Sequence, residues 1–470
     1  MAISRRKLLK RSGESLAGYA LYSMFNSGGV AFASGSCGTV PIVELYLGGD
    51  AGSHQLLCPS QSSAAWSSYA ANNPSILPTL DVPGFTTSRE LLPITGAPNY
   101  ALRSSLPAFQ SAINNRDPSK YSLAAVNYVG NSIVRDFGHD TSWRRVSTAD
   151  VSSLTNPYGW AGRLADQCYY DDIHAVYSLR GRTVTAEGPR NRVNIISSLS
   201  SFGFDNPRYG STAFQRHLNE SFKKIRKADP ILNNVSDKAL HSAWDTLDDS
   251  VARAATVVTK YDAIPAAQRA VYPTTGLGQS FLNAARLIRT GYFPRGSIHL
   301  QFGGWDAHQN ALVATERLSI QLNEAVGAFV KDMEMGLHDV ILLIWHAFGR
   351  NTFENSNTGF DPSGKLVPVP GNDHGQGYAA WIFGKGSRVR AGVHGPTAYR
   401  PDDFFNPKTS SGALGWMPGG VTTNDRGTLV PGIDFREVLA QVLSQAGADP
   451  SKIIVDANYP RSSYNLRIFN

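Results

Sequence analysis

Cysteine is scarce in this chain: three in 470 residues, Cys37, Cys58 and Cys168. Their spacing matches no zinc-binding pattern, and three thiols allow at most one internal disulfide with one left over; Cys58–Cys168 is the bridge weighed. Charge is thin as well, at 17% of residues, with no long Lys/Arg run and no basic stripe interleaved with aromatics, so nucleic acid is not an expected partner. Once the N-terminus is set aside, no apolar run is long enough to span a bilayer, and no repeat, low-complexity tract or linker divides the chain. What is present is a 42% hydrophobic chain with 44 Gly and 26 Pro. That composition predicts a large globular protein rich in loops, where sites tend to sit.

Residues 1–33 read as an export segment. Ser4-Arg5-Arg6-Lys7-Leu8-Leu9-Lys10 matches the twin-arginine pattern, an uncharged stretch from Ser15 to Ala33 follows, and Ala31-Phe32-Ala33 offers a small-x-small cleavage site. Cleavage there removes five basic residues and Glu14, so the formal charge of +7 falls to +3. The apparent basicity is thus mostly an address. The twin-arginine machinery is an expected partner, the expected location is periplasmic or secreted, and export in the folded state suits a protein that acquires a metal first. Cys37 lies just past this site but lacks the Leu-Ala-Gly lead of a lipoprotein signal.

Downstream, the pattern alternates between buried strands and amphipathic helices. Residues 40–47 form an apolar run that ends at Gly48-Gly49-Asp50-Ala51-Gly52, which places Asp50 and His54 after a first strand. Residues 60–100 read as surface loop, 106–114 as helix and 122–129 as a second strand. After that strand, Gly138-His139-Asp140-Thr141-Ser142 opens a helix, with Asp140 or Thr141 expected as its N-cap or a hydroxyl there as a nucleophile. Helices are predicted over 212–227 and 236–262, and Leu277, Phe281, Ala285 and Ile288 repeat at helical spacing. A strand over 297–302, a helix marked by Leu318, Leu322, Ala325, Phe329 and Met333, and a strand over 340–345 make a βαβ unit. A short strand over 381–384, an aperiodic insertion over 396–428, and a helix capped by Asp434 and running to about Gln445 complete the chain.

The loops after these strands carry the chemistry. Asp306 and His308 follow one strand, His346 and Arg350 the next, and Gly371-Asn372-Asp373-His374-Gly375-Gln376-Gly377 adds an Asp-His pair in a glycine-bounded loop. Carboxylate and imidazole groups gathered at parallel strand ends suit a divalent metal ion.

The ordered set of the twin-arginine start, Gly48-Gly49, Gly159-Trp160-Ala161-Gly162-Arg163, Gly303-Gly304-Trp305-Asp306-Ala307-His308, Phe348-Gly349-Arg350, Asp373-His374-Gly375-Gln376-Gly377 and Asp434-Phe435-Arg436 resembles the exported bacterial family known as domain of unknown function fifteen-oh-one. That family looks like a branch of the alkaline phosphatase and sulfatase superfamily. The resemblance implies an α/β fold over 38–470, a single large domain with a central, largely parallel sheet and helices on both faces. It further implies a metal-dependent hydrolase of phosphate- or sulfate-type esters, acting on an unknown anionic substrate. Carried over, Asp306, His308, Asp373 and His374 are the expected ligands of a divalent ion such as zinc, calcium or manganese. His139, Thr141 and Arg350 are the expected catalytic groups, Arg350 facing an oxyanion, with Thr141, Ser142 or a water held by the metal as nucleophile.

The sequence also departs from the family. His346 and Ala347 stand where a Ser or Thr and a Glu are usual, Gly138 replaces a Ser, and Arg103 replaces a His. Either the site is rebuilt around His346 and His139, or the chain is a catalytically degenerate exported binding or assembly protein.

Overall fold

Ile42–Leu47 is buried at every position and forms the middle strand, β1, of the molecule. The other strands of its sheet are, in chain order, β2 (Tyr121–Gly130), β3 (Val176–Ser178), β4 (Asn194–Ile195), β5 (Ser297–Phe302), β6 (Ile341–Trp345), β7 (Tyr378–Lys385), β8 (Gly392–His394) and β9 (Ile433–Asp434). They lie side by side as β8-β2-β7-β6-β1-β5-β3-β4, with β9 also along β2. β1 runs parallel to both β5 and β6, and only β7 runs antiparallel, against β2 and β6. The carboxyl ends of the other strands therefore share one edge, and β7 begins at that same edge. This is the α/β architecture expected, in a computed structural model that describes residues 37–38, 40–49, 52–86, 88–134, 136–169, 175–190, 193–195, 256–293, 295–355, 357–360, 363–404, 429–456 and 459–470.

Alternation along the strands builds two layers of core. On one face Val43, Leu45 and Leu47 of β1 join Ile298 and Leu300 of β5 and Leu342 and Ile344 of β6. Helices α2 (Pro107–Ile113), α5 (Gly276–Arg289) and α6 (Ala311–Met335) cover them; α1 (Trp66–Asn72) precedes these in the chain. On α6 the stripe Leu318, Leu322, Ala325, Phe329 and Met333 is buried as its spacing predicts, each large apolar side chain contributing about 1.5–3 kcal/mol. On the other face Ile42, Ile341, Leu343 and Trp345 pack with α3 (His139–Thr148), α4 (Trp160–Cys168) and α7 (Phe435–Gln445). Asp434 caps α7, its carboxylate accepting from Arg436 N at 3.0 Å. Among the described residues no helix is long and apolar enough to cross a membrane.

Several expectations are corrected. The disulfide joins Cys37 to Cys168, with Cα atoms 5.5 Å apart, while Cys58 is a buried free thiol. Cys58 sits on a strand of a separate three-stranded sheet, Leu57–Pro59, and cannot reach the end of α4. The span 60–100 is not all loop, since it holds α1 and a short strand at Leu92–Pro93. Neither Asp140 nor Thr141 caps α3; Gly138 does, and Asp136 accepts from Gly138 N at 3.0 Å. The export segment, the predicted helix over 212–227, most of that over 236–262, Asp50, and 405–428 of the insertion lie outside the described residues; 256–262 is helical.

Candidate metal site at the carboxyl edge

Three loops converge at the carboxyl ends of β1, β5 and β6. The 48–49 turn follows β1, the 303–308 loop follows β5, and a two-residue antiparallel ribbon pairs Gly349–Arg350 with His374–Gly375. Backbones meet backbones here. A Cβ on Gly371 would lie 2.3 Å from Ala307 O, and one on Gly375 would lie 2.4 Å from the Arg350 carbonyl carbon, so the loop that carries Asp373 and His374 can seat itself only with glycine at both places. Buried amides hold the rest. Asn372 donates to Phe353 O at 2.7 Å and accepts from Gln55 at 2.5 Å, Asn351 accepts from Asp373 N at 3.0 Å, and Asn355 and Asn357 donate to His308 O at 2.9 and 2.7 Å.

On this platform sit His139, Asp306, His308, Asp373 and His374. His308 Nε2 is 2.9 Å from Asp306 Oδ1 and 3.0 Å from His374 Nε2, and His374 Nε2 is 3.4 Å from the same Asp306 oxygen. His139 Nε2 reaches Asp306 Oδ2 at 3.3 Å, and His139, Asp306 and His374 offer ligand atoms within 4.8 Å of one another. The side chains are open to solvent on one side, His308 39% and Asp306 42% exposed, whereas Arg350 beneath them is 2% exposed.

Second partners fix the tautomers. The Phe137 carbonyl can only accept, so the 2.6 Å contact puts the His374 proton on Nδ1. Asp373 Oδ1, 3.0 Å from His308 Nδ1, does the same for His308. Both Nε2 atoms then face one another and the Asp306 carboxylate, which the Arg350 guanidinium already touches from beneath, a set of acceptors that could also take a metal ion on the open side. Donors bound at ~2.0–2.2 Å to one ion sit roughly 2.9–3.5 Å apart, the range of these contacts. Carboxylate–histidine pairing behind the donor nitrogen is the usual support of such a ligand. The residues present therefore fit a divalent metal ion. Asp306, His308, His374 and His139 could supply donors, and Asp373 orients His308 from the far side of its ring.

Electrostatics agree with that donor set. Burial tends to raise the Asp306 carboxyl, but the Arg350 hydrogen bond and charge, with His308 and His139, outweigh it and hold the group below its usual range. Burial, helped by the Arg350 and His139 charges, lowers the His374 imidazole despite the Phe137 carbonyl and Asp306, which favours its neutral, ligating form. Arg350 is the hub of the floor: it donates to Asp306, Gly49 O, Trp305 O at 3.4 Å and Asn372 O at 3.2 Å, and lies 3.4 Å from His308 Nε2.

Other sequence candidates are placed elsewhere. Thr141 donates to Asp136 Oδ1 at 2.7 Å, and Asp136 is in turn paired with Arg145 at 3.2 Å. A Cβ on Gly138 would come 2.6 Å from the Thr141 hydroxyl oxygen, so glycine there and Thr141 in this rotamer go together. His346 is wholly buried against Tyr378, its pKa pushed down to about 3 by burial and by the Arg350 charge. His54 packs against Tyr69 and Phe404 in the interior, also lowered to about 3 by burial. Ala347 borders a cavity of about 10 Å³, lined also by Asp136, Ser142, Arg145, Phe348 and Gln376. Sequence reasoning missed the supporting Asn351, Asn355, Asn357 and Gln55, whose only signal is an unusual density of amides around the Asp-His loop.

A largely parallel α/β sheet with His and Asp converging at its carboxyl edge defines the architecture of the chain. The chain belongs to the family described as protein of unknown function (DUF1501), whose model matches residues 143–403, more than half of its length. The match takes in Asp306, His308, Arg350, Asp373 and His374, while His139 and Thr141 precede it. No curated protein and no solved structure matches the chain.

Proposed function

We propose that this chain is an exported, metal-dependent hydrolase of phosphate- or sulfate-type esters, a remote member of the alkaline phosphatase and sulfatase superfamily. The observation that carries the reading is the convergence of His308 Nε2, His374 Nε2 and Asp306 Oδ1 within 2.9–3.4 Å, with both imidazole protons held on the opposite nitrogens. Two to three imidazoles with one carboxylate favour zinc over calcium, which prefers an all-oxygen shell. When bound, the ion supplies Lewis acidity toward an ester oxygen and lowers the pKa of a hydroxyl or water.

The chain's own groups do the rest. Asp306 stays ionised and keeps His308, His374 and His139 gathered. Arg350, always charged, offsets negative charge that an anionic ester brings to this edge. The open side of the cluster admits substrate, while the buried Arg350 floor limits water from beneath. Periplasmic or secreted localisation through the twin-arginine machinery is supported by the N-terminal pattern and by the Cys37–Cys168 disulfide, which needs an oxidising compartment.

A generic aryl phosphate and aryl sulfate panel tests the reading. Metal-dependent turnover that His374→Ala abolishes is expected; metal-loaded, folded protein with no turnover of any ester favours a second reading, that of a binding or assembly protein. That second reading draws on Ala347, where a carboxylate is missing, and on the Thr141 hydroxyl, which is engaged by Asp136.

A further inference from the structure

Beside the His/Asp cluster the same sheet edge carries a second, differently built feature. Tyr46, near the end of β1, stacks on Trp143 of α3 with ring centroids 3.6 Å apart and planes 21° apart. Trp143 follows His139 by one helical turn on α3, so the two share a face. Phe348 links them, its ring 5.0 Å from that of His139 and 4.8 Å from that of His374, and it packs with Tyr46, Ala347 and Trp143. Arg180, just past β3 at the carboxyl edge, sets its guanidinium against this stack, 5.1 Å from the Tyr46 centroid and 4.9 Å from that of Trp143.

Among the described residues the Arg180 Nη1 is buried without a hydrogen-bond partner, and the side chain meets no carboxylate within ion-pair distance. Glu44, the carboxylate whose charge it feels, is taken up by His299 at 2.5 Å and Trp345 at 2.8 Å. A buried cation nitrogen without an acceptor is costly, and an arginine held against two stacked rings is preorganised for an anion. A bound anion would relieve that cost.

We propose that Arg180, with the Tyr46–Trp143 stack, is a specificity subsite for a second negative group on the substrate, so that the preferred ester carries two anionic groups. This rests on the reading of the His/Asp cluster as the site that takes the first anion. The first group lies at the cluster above Arg350; the second, a carboxylate or a further phosphate or sulfate, pairs with Arg180 while the ring or sugar between them lies along Phe348 and Trp143.

Calorimetric titration of the metal-loaded mature protein with phenylphosphonate and with 4-carboxyphenylphosphonate tests this, since the carbon–phosphorus bond survives the measurement. The wild type is expected to bind the carboxylated ligand about tenfold more tightly, the worth of one charge-assisted pair. Arg180→Gln is expected to reduce that preference to about twofold or less, with metal content and phenylphosphonate affinity unchanged. Arg180→Lys, which keeps the charge without the fork, is expected to fall between, and it carries the comparison if the Gln variant does not fold. Equal affinity of the wild type for both ligands, a preference that survives Arg180→Gln, or loss of phenylphosphonate binding in a folded Arg180 variant overturns the subsite and leaves the cluster's role intact. Failure of the wild type to bind either ligand overturns both.

Discussion

Arg350→Met removes the cation on which the candidate site is built while keeping an apolar side chain of similar reach. The wild-type guanidinium is 2% exposed and donates to Gly49 O, Trp305 O and Asn372 O as well as to Asp306. Asp306 is 42% exposed, so its carboxylate regains water when the partner is lost and contributes little to the penalty. The three carbonyls belong to the turn after β1, the loop after β5 and the Asp-His loop. Gly49 O and Asn372 O are each left wanting a donor at about 1–3 kcal/mol, whereas Trp305 O keeps Ala307 N at 2.7 Å, and the sum with the lost ion pair falls at about 3–5 kcal/mol after relaxation, the range for breaking a buried charged network. Urea unfolding of the mature protein, followed by tryptophan fluorescence, reads this as a lower midpoint at unchanged slope. Arg350→Lys should recover only part of the loss, because one ammonium cannot serve three loops. A Met variant within about 1 kcal/mol of wild type would refute the claim that Arg350 ties the loops together.

Two further outcomes follow from the interior. Asp403 is buried, accepts from Tyr128 OH and from Arg400 N at 2.6 Å, and has its pKa raised by burial from 3.8 to about 7. The folded state thus binds a proton that the unfolded state has released. The stability from this group is fully present below pH 3.8 and is lost as pH rises through about 7, a change of about 4 kcal/mol over roughly three pH units. Unfolding midpoints of Asp403→Asn at pH 4, 6 and 8 should fall less steeply than those of wild type, and parallel curves would count against it. The Cys37–Cys168 bridge closes a span of 131 residues, so Cys37→Ser, like reduction of the wild type, should lower stability by about 2–5 kcal/mol in the same unfolding assay. No change on reduction would mean that the tie is not formed in solution.

How much of this was legible in the sequence depends on which residues are asked about. β6 announces itself because a strand covered on both faces is apolar without interruption, β1 and β2 are broken only by Glu44 and by Ser122 and Asn127, β5 shows instead as an alternation of Ile298, Leu300 and Phe302, and the α6 stripe is visible because only one side of that helix is buried. The βαβ order then brings Asp306, His308 and Arg350 to one edge without any structure. The direction of β7 was not legible, since apolar runs carry no sense of direction. Yet that direction matters most: because β7 runs against its neighbours, it starts at the carboxyl edge, and His374 just before it reaches His308. The division of labour within the Asp-His pair was equally hidden. His374 points its Nε2 at the cluster, whereas Asp373 backs His308, and only side-chain geometry separates a donor atom from its support. The disulfide escaped for a similar reason. Cys58 and Cys168 look no less compatible in sequence than Cys37 and Cys168, and spacing along the chain says nothing about Cα distance.

The central claim is that the acceptors at the strand ends share a metal ion. Elemental analysis of mature protein purified from metal-replete medium, beside His308→Ala and His374→Ala, addresses it directly. The account predicts close to one tightly held divalent ion per chain in the wild type, zinc before calcium, and metal content near zero in each folded variant, as a fall of tenfold or more in affinity brings about. Fully folded wild type that holds no metal, or variants that hold it as tightly as wild type, would contradict it.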